Sequence, residues 1–198
     1  MAELGAHVVS HLALAAAALA LALLVGVPLG ILAANRPALR GSVLGLAGVG
    51  RTLPSLAVLM FLLPLLGVGV APAVAALALL AIPPIVINVD LGIRGVPATT
   101  REAATAMGMT AAQRFSRVIV PLALPVSISG LRTATTETIA SATLATFIGA
   151  GGLGDEIVRG LQTDNAALLF AAAAVVAALA LSADLLLATG GRLLAHEA

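Results

Sequence analysis

Long apolar segments constrain this chain more than any other feature of its sequence. A helix that spans a membrane needs about 20 consecutive, predominantly apolar residues. Five segments meet that requirement, at about residues 8–33, 42–66, 70–89, 122–150 and 166–188. Charged residues make up 10% of the chain, whereas a soluble domain averages about 25%. The sequence therefore predicts an all-α membrane protein of one domain, residues 1–198, with about five transmembrane helices.

The first segment has a second possible interpretation, as a secretory signal peptide. It lacks the basic residues that precede the apolar core of a signal peptide, and its apolar stretch is longer than such a core. A membrane helix is therefore the preferred interpretation. Prolines interrupt the next two segments: Pro54 and Pro64 lie in or near the end of the second, and Pro83 and Pro84 are expected to bend the third.

The distribution of arginine predicts how the chain is oriented. All ten basic residues are arginine, and cytoplasmic loops carry an excess of basic residues. The first connection, the third connection and the C-terminus hold Arg36, Arg40, Arg94, Arg101, Arg114, Arg117 and Arg192. The fourth connection is mainly acidic, and the N-terminal tail has Glu3 and no basic residue. We therefore expect the N-terminus outside, and the third connection and the C-terminus in the cytoplasm.

Residue types that are missing exclude several functions. The chain has no cysteine, so it has neither disulfides nor a thiolate metal site. It has no lysine, so a P-loop cannot form and hydrolysis of ATP by that route is excluded. His7, His11 and His196 are scattered, so we expect no metal centre or catalytic triad. The chain is expected to be no enzyme and to bind neither a cofactor nor nucleic acid.

The third connection, about residues 94–121, is the one long polar segment between apolar ones. Two residue pairs in it have the spacing of capping boxes, Thr99 with Glu102 and Thr110 with Gln113. Gly108 lies between them and suits the position just after a helix. The pattern predicts a helical hairpin whose second helix ends near Pro121. Such a hairpin is either a solvated connector or a docking element for another protein.

The residues of this connection resemble the EAA motif of ABC importer permeases. The motif reads E-A-A-x3-G-x9-I-x-L-P, and this chain has Glu102, Ala103, Ala104, Gly108, Val118, Val120 and Pro121 at those positions. The two valines are conservative departures. The resemblance implies that the hairpin contains coupling helices that sit on an ATP-binding subunit.

Further expectations follow from that resemblance. ATP and Mg²⁺ would be bound by the separate ATP-binding subunit, and this chain would form the pore. A second permease chain would complete the pore, as a homodimer or a heterodimer. An extracytoplasmic binding protein would deliver the solute. The expected location is the inner membrane of a bacterial or archaeal cell, which the chain crosses several times in contact with lipid.

Other segments are similar to the osmoprotectant branch of these permeases, so that the likeness extends from about His11 to Leu187. In chain order they are Pro28–Leu32, Thr52–Ala57, Pro83–Ile85 with Asn88, Met107–Thr110 with Gln113, and Phe147–Gly154. The branch implies glycine betaine, choline, carnitine or proline as the solute. Arg51 stands where the branch usually has glutamine, and a tyrosine often found in its third span is missing. Both departures bear on the identity of the solute more than on the family.

Two alternatives stay open at the level of the sequence. A permease of the same family could carry another small solute, such as methionine or an alkylsulfonate. A stand-alone secondary transporter or channel belongs to a different class, and it predicts internal repeats with paired broken helices. The two halves of the chain show no convincing repeat.

The fourth apolar segment carries polar side chains that helical periodicity gathers into a wedge. Arg132 and Thr136 fall along one row of the helix, and Glu137 and Ser141 fall along the next. Charged residues within spans usually face the bundle interior or water. The wedge is therefore interpreted either as a lining of the translocation path or as a structural element that pairs with another helix. Arg132 can also extend its guanidinium towards the nearer membrane surface.

Three further polar residues of the apolar segments are assigned structural roles. Asp184 is interpreted as an interfacial or helix-pairing carboxylate. Asn88 and Asp90 follow Pro83 and Pro84, whose rings free backbone groups that need partners.

A glycine-rich segment follows the fourth span, with Gly149, Gly151, Gly152 and Gly154. No strand precedes these glycines, so a dinucleotide-binding site is excluded. The segment is predicted to form a flexible re-entrant or gate-like turn on the outer side.

Aromatic residues are scarce, with four Phe and neither Trp nor Tyr. Quaternary ammonium groups are best held by aromatic cages, which this chain cannot easily build. We therefore expect that an external binding protein selects the solute, and that this chain provides a weak, permissive passage.

Overall fold

The computed structural model describes the backbone of residues 2–196 and the side chains of residues 4–191. Within those ranges the chain is all-helical, as predicted, and contains no strand. The α-helices in chain order are α1 Ala2–Asn35, α2 Pro37–Gly50, α3 Ser55–Leu66, α4 Val70–Gly95, α5 Ala98–Ala106, α6 Ala111–Arg114, α7 Val120–Ser141, α8 Leu153–Gln162 and α9 Ala166–His196. A π-helix, Phe115–Ile119, joins α6 to α7, and a 3₁₀-helix, Ala142–Ile148, follows α7.

Four helical segments in the described part of the chain are long and apolar enough to cross a membrane. They are Leu4–Asn35, Val70–Gly95, Ala111–Ile148 and Ala166–Gly191. α2 and α3 together form a further candidate, bent by 99°. The predicted number of about five spans is reached when this bent pair is taken as one span.

The predicted second span, residues 42–66, is not one continuous helix. Helical structure starts earlier, at Pro37, and it is interrupted at residues 51–54. Pro54 accounts for the interruption, because its ring has no N–H and disfavours a helical backbone in the residue before it. The backbone of Pro54 is itself extended, with ψ at 126°. The break between α2 and α3 therefore comes from local covalent geometry.

Elsewhere helices continue through proline, as at Pro28 in α1 and Pro64 in α3. α4 contains Pro83 and Pro84 and runs on to Gly95, beyond its predicted end at residue 89. The prediction that the second hairpin helix ends near Pro121 is wrong. α6, the π-helix, α7 and the 3₁₀-helix form one continuous helical segment over residues 111–148. The N–H of Val120 donates to the carbonyl of Phe115, five residues earlier. We attribute the continuation of the helix through Pro121 to this π-turn, which is wider than an α-helical turn.

α4 is the central helix of the bundle and packs against α1 and α7. In its most apolar stretch 56% of the residues are buried, against 11–28% in the other three spans. Glycines bring the backbones together: a Cβ atom on Gly30 of α1 would lie 2.6 Å from the Cβ of Val89. A Cβ on Gly130 of α7 would lie 2.5 Å from the Cβ of Asn88. Close approach at small residues is how helices associate in lipid.

The two ends of the bundle carry different features. We call them the hairpin end, where residues 97–110 follow α4, and the glycine-turn end, which holds residues 149–152. α4 starts at the glycine-turn end, where the N–H of Gly69 donates to the carbonyl of Ile148 at 2.7 Å. α1 runs parallel to α4, whereas α7 runs antiparallel to it and α9 antiparallel to α7. α1 therefore begins at the glycine-turn end, and α9 ends at the hairpin end.

The relative placement of the hairpin and the C-terminus at one end agrees with the topology expected from the arginines. That this end faces the cytoplasm stays a prediction. The side chains of Glu3, Arg192 and His196 lie outside the described residues.

We predict that Gly130→Ala destabilises the bundle. The added methyl group would clash with Asn88 and with the carbonyl of Pro84, 2.6 Å away, and such overpacking costs about 1–3 kcal/mol. Gly45→Ala is the matched control, because a Cβ at Gly45 meets no atom within 4 Å. The measurement is the thermal unfolding midpoint of each variant in detergent. A midpoint that falls only in Gly130→Ala is expected; equal midpoints would contradict the α4–α7 contact.

Candidate functional site

The hairpin turns at Gly108, whose backbone has a φ of +80°. The N–H of Gly108 donates to the carbonyl of Thr105 at 2.9 Å, and that of Met109 to the carbonyl of Ala104 at 3.2 Å. This pair of bonds is the Schellman arrangement, which satisfies the last carbonyls of a helix. A side chain at this φ is strained, so glycine suits the position for conformational reasons.

Of the two predicted capping boxes, only the second forms. The Thr110 hydroxyl accepts from the N–H of Gln113 at 3.3 Å, and the Gln113 side-chain oxygen accepts from the N–H of Thr110 at 2.9 Å. The first box is absent because α5 begins at Ala98, directly after Pro97, and has no side-chain cap. Thr99 is therefore already inside the helix, where its hydroxyl cannot serve as the N-cap.

The hairpin is ordered by contacts between its own helices and with α4. The Arg101 guanidinium donates to the backbone carbonyl of Ile93, near the end of α4. Arg114 donates to the Thr105 hydroxyl at 2.7 Å, which ties the two hairpin helices together. These contacts make the hairpin a fixed extension of the bundle.

The residues of the EAA pattern occupy different environments. Glu102, Ala103 and Gly108 are exposed on the hairpin, whereas Ala104 is buried beneath them. Pro121 lies apart from the hairpin, in the first turn of α7. The exposed members therefore offer a surface to another molecule, and Ala104 fixes α5 from below.

The C-terminal half of α4 is tied to α2 by an ion pair whose carboxylate is buried. Asp90 is fully buried, and both its oxygens accept from the Arg40 guanidinium at 2.9–3.2 Å. Asn88 donates to the carbonyl of Pro84 at 2.8 Å. Both residues thus have structural partners, and Asp90 lies close in the chain to Ile93, which holds the hairpin. A movement of the hairpin would reach α2 through this part of α4.

Polar residues of α7 line a cavity at the break between α2 and α3. The cavity has a volume of about 220 Å³ and is lined by Gly50, Arg51, Leu53, Ser55, Leu77, Leu80, Glu137, Thr138 and Ser141. Of the four wedge residues that were considered as a path lining, Glu137 and Ser141 line this cavity. Arg51 and Ser55 were not predicted as site residues. The available signals were Pro54, which breaks the helix, and the departure from glutamine at position 51.

The other row of the wedge makes contacts within the bundle. Arg132 donates to both carboxylate oxygens of Asp184 on α9, at 2.7 and 2.8 Å. The Thr136 hydroxyl donates to the carbonyls of Arg132 and Thr133, each at 3.1 Å. Neither Arg132 nor Thr136 lines the cavity. The geometry therefore gives the Arg132 row a helix-pairing role and leaves the Glu137 row facing the cavity.

The glycine-rich segment forms a turn with left-handed backbone at Gly149, Gly151 and Gly152. Gly154 is already helical, since α8 starts at Leu153 in a connection for which no helix was predicted. The turn is the glycine-turn end of the bundle. That it acts as a gate stays a prediction.

Histidines that are scattered in the sequence meet at this turn. A ring nitrogen of His7 lies 3.0 Å from the carbonyl of Gly152, and one of buried His11 lies 2.9 Å from the carbonyl of Ile139. Buried Glu156 accepts from Arg159, and His7 lies 3.7 Å from the same carboxylate. No group of metal-ligating side chains suited to an ion occurs in the described part of the chain. These contacts hold the turn against α1.

The sequence matches a known family over most of its length. Residues 26–190 match the family described as binding-protein-dependent transport system inner membrane component. The choline transport system permease protein OpuBB of Bacillus subtilis is 42% identical over 182 residues, which cover 92% of this chain and 84% of the relative. The osmoprotectant import permease protein OsmY of Salmonella typhimurium is 43% identical over 185 residues, covering 92% and 78%.

Solved structures with the same fold are also found. A chain of the MetNI methionine ABC transporter, in an inward-facing conformation, has a TM-score of 0.85 at 23% identity, and the match covers 96% of this chain and 95% of that chain. An amino acid ABC transporter crystallised with histidines has a TM-score of 0.78 at 20% identity, with coverage of 94% and 92%. At this identity the likeness establishes the fold.

We predict that exchanging the charges of Arg132 and Asp184 lowers the stability of the protein less than changing only one of them does. Arg132→Asp places two carboxylates opposite each other across α7 and α9, so we expect a lower unfolding midpoint and less monodisperse protein on size exclusion. Adding Asp184→Arg should recover most of the loss, because opposite charges again face each other. Arg36→Asp, at an exposed site, controls for loss of an arginine. Equal losses in the single and double variants would show that the pair does not join the helices.

Proposed function

The chain belongs to the family of binding-protein-dependent transport system inner membrane components, and from this premise we propose that it is the permease subunit of an ATP-driven ABC importer for compatible solutes. The solutes proposed are those of the glycine betaine, choline, carnitine and proline class. Family membership sets aside the stand-alone secondary transporter or channel. It also places the chain among multi-pass proteins of the cell membrane.

The observation that carries the proposal is the ordered hairpin with the EAA spacing. Its turn is fixed by Gly108 and the Thr110–Gln113 box, and Arg101 fastens it to α4. Glu102 and Ala103 remain exposed on it. A rigid element with an exposed face is what a partner needs in order to push on the bundle. We assign this face to the separate ATP-binding subunit, which would bind and hydrolyse ATP.

The coupling proposed here follows the contacts of α4. Movement of the hairpin would shift the end of α4 through Arg101 and Ile93, and the Asp90–Arg40 pair would carry the shift to α2. α2 ends at the break that forms one wall of the polar cavity. Closure of the ATP-binding subunits would therefore change access to the cavity from one side of the membrane to the other.

A second permease chain is proposed to complete the pore. Arg51 and Glu137 are exposed in the single chain, although they lie on segments that cross the membrane. Charged groups that face lipid are costly, so such groups usually face a bundle interior or a water-filled cavity. A homodimer or heterodimer that encloses these residues would give them that environment.

The solute class rests on the functions for which the relatives are named. Besides the choline permease and the osmoprotectant permease, the glycine betaine/carnitine/choline transport system permease protein OpuCB of Bacillus subtilis is 41% identical over 182 residues. None of the four Phe of this chain lines the polar cavity, so no aromatic cage forms there. We therefore assign selection of the quaternary ammonium group to an extracytoplasmic binding protein.

We predict that Glu102→Arg and Gly108→Val abolish binding of the ATP-binding subunit. The first reverses a charge on the exposed face, and the second forces a β-branched side chain to a φ of +80°. The measurement is co-purification of the chain with its cognate ATP-binding subunit in detergent, followed by solute-stimulated ATP hydrolysis with the binding protein.

Two variants serve as controls for that experiment. Gly108→Asn should retain binding, because asparagine tolerates the left-handed conformation better than other side chains. Gln162→Arg introduces the same side chain as Glu102→Arg at an exposed position of α8, away from the hairpin, and should retain binding. Unchanged co-purification in Glu102→Arg and Gly108→Val would contradict the proposed docking face.

A further inference from the structure

We propose that the cavity at the break between α2 and α3 is a passage site for zwitterionic solutes, in which Arg51 receives the carboxylate and Glu137 faces the cationic group. This inference rests on the proposed function and narrows its solute class. Zwitterions such as glycine betaine, carnitine and proline would be preferred over choline, which is a cation without a carboxylate.

The cavity holds two opposite charges that make no ion pair within residues 4–191. The ion pairs among the described residues are His7–Glu156, Arg40–Asp90, Arg132–Asp184 and Arg159–Glu156. None of them involves Arg51 or Glu137, although both side chains line the same cavity. Charges in a membrane bundle usually face its interior or a water-filled cavity. Arg51 and Glu137 are exposed and line one cavity of about 220 Å³, where each can meet the opposite charge of a ligand.

The cavity lies beside the middle of α4 and has a polar lining. Leu77 and Leu80, which form its apolar wall, lie inside α4 and away from both of its ends. Three hydroxyl groups, on Ser55, Thr138 and Ser141, complete the polar lining. The cavity therefore lies within the membrane-crossing part of the bundle.

The two charges of the cavity can interact with a solute in different ways. A guanidinium can bind a carboxylate through two parallel hydrogen bonds, which are among the stronger polar contacts in proteins. A quaternary nitrogen has no N–H, so Glu137 can offer it only charge attraction. Arg51 is thus the residue that distinguishes the solutes: it binds the carboxylate of a zwitterion and repels a cation that has none.

The experiment measures solute binding without the binding protein, so that only the permease contributes to selectivity. The complete complex of permease chains and ATP-binding subunits is placed in lipid nanodiscs. Equilibrium dialysis with radiolabelled glycine betaine and radiolabelled choline gives both affinities. We expect the wild-type complex to bind glycine betaine more tightly than choline.

Substitutions at the two charges test their separate roles. Arg51→Gln should weaken glycine betaine binding by at least about tenfold and remove the preference over choline. Arg51→Lys keeps the charge without the planar fork, and it should give an intermediate affinity. Glu137→Gln should weaken both ligands. Arg36→Gln and Asp164→Asn make the same chemical changes outside the cavity, and both should leave the two affinities unchanged.

The outcomes separate this inference from the proposed function. An assembled, ATP-hydrolysing complex whose preference for glycine betaine is the same in wild type and Arg51→Gln would overturn the inference and leave the proposed function intact. Absence of glycine betaine binding by the wild-type complex would also overturn it. Failure of the wild-type chain to bind its ATP-binding subunit would instead contradict the proposed function. Co-purification of the Arg51 variants with that subunit shows that they are folded.

Discussion

The packing of α4 between α1 and α7 is the constraint on which the rest of the structure depends. Lipid gives no hydrophobic gain when two apolar helices meet, so their association requires close contact and paired polar groups. Gly30 and Gly130 supply the close contact on either side of α4. Once α4 is fixed, Asp90 holds α2 and the carbonyl of Ile93 holds the hairpin. The proposed docking face and the polar cavity are thus both positioned relative to one buried helix.

The charges of the bundle divide into those with a partner and those without one. Asp90 is fully buried and receives two nitrogens of Arg40, because removing an ion from water costs several kcal/mol unless a partner compensates. Arg132 and Asp184 make a similar bidentate pair where both remain partly exposed. These pairs fix helices against each other. Glu137 lies on the next row of α7 and makes no ion pair with any side chain that the structure describes, so one helix carries a packing row beside the row assigned to the proposed passage.

The sequence predicts well those features that depend on residues close together in the chain. The apolar spans and the Thr110–Gln113 box are of this kind, whereas a proline alone does not predict where a helix ends. The helix breaks before Pro54 but continues through Pro64, although both prolines are exposed. A proline costs about 3 kcal/mol in a helix interior, which the remaining contacts of the helix can offset. The periodicity of α7 likewise predicts its two polar rows, but Asp184, which pairs with one row, and Arg51, which lines the cavity beside the other, lie far away in the sequence.

The same structure explains why a passage of this kind can be weak and still useful. A site along a transport path must bind well enough for the solute to enter and weakly enough for it to leave. The cavity has charges and hydroxyl groups but no aromatic side chain, and both Arg51 and Glu137 remain exposed to hydration. Water therefore competes for every polar contact that the solute makes there. Tight selection can then belong to a separate binding protein, while the permease keeps only the charge pattern that its solutes share.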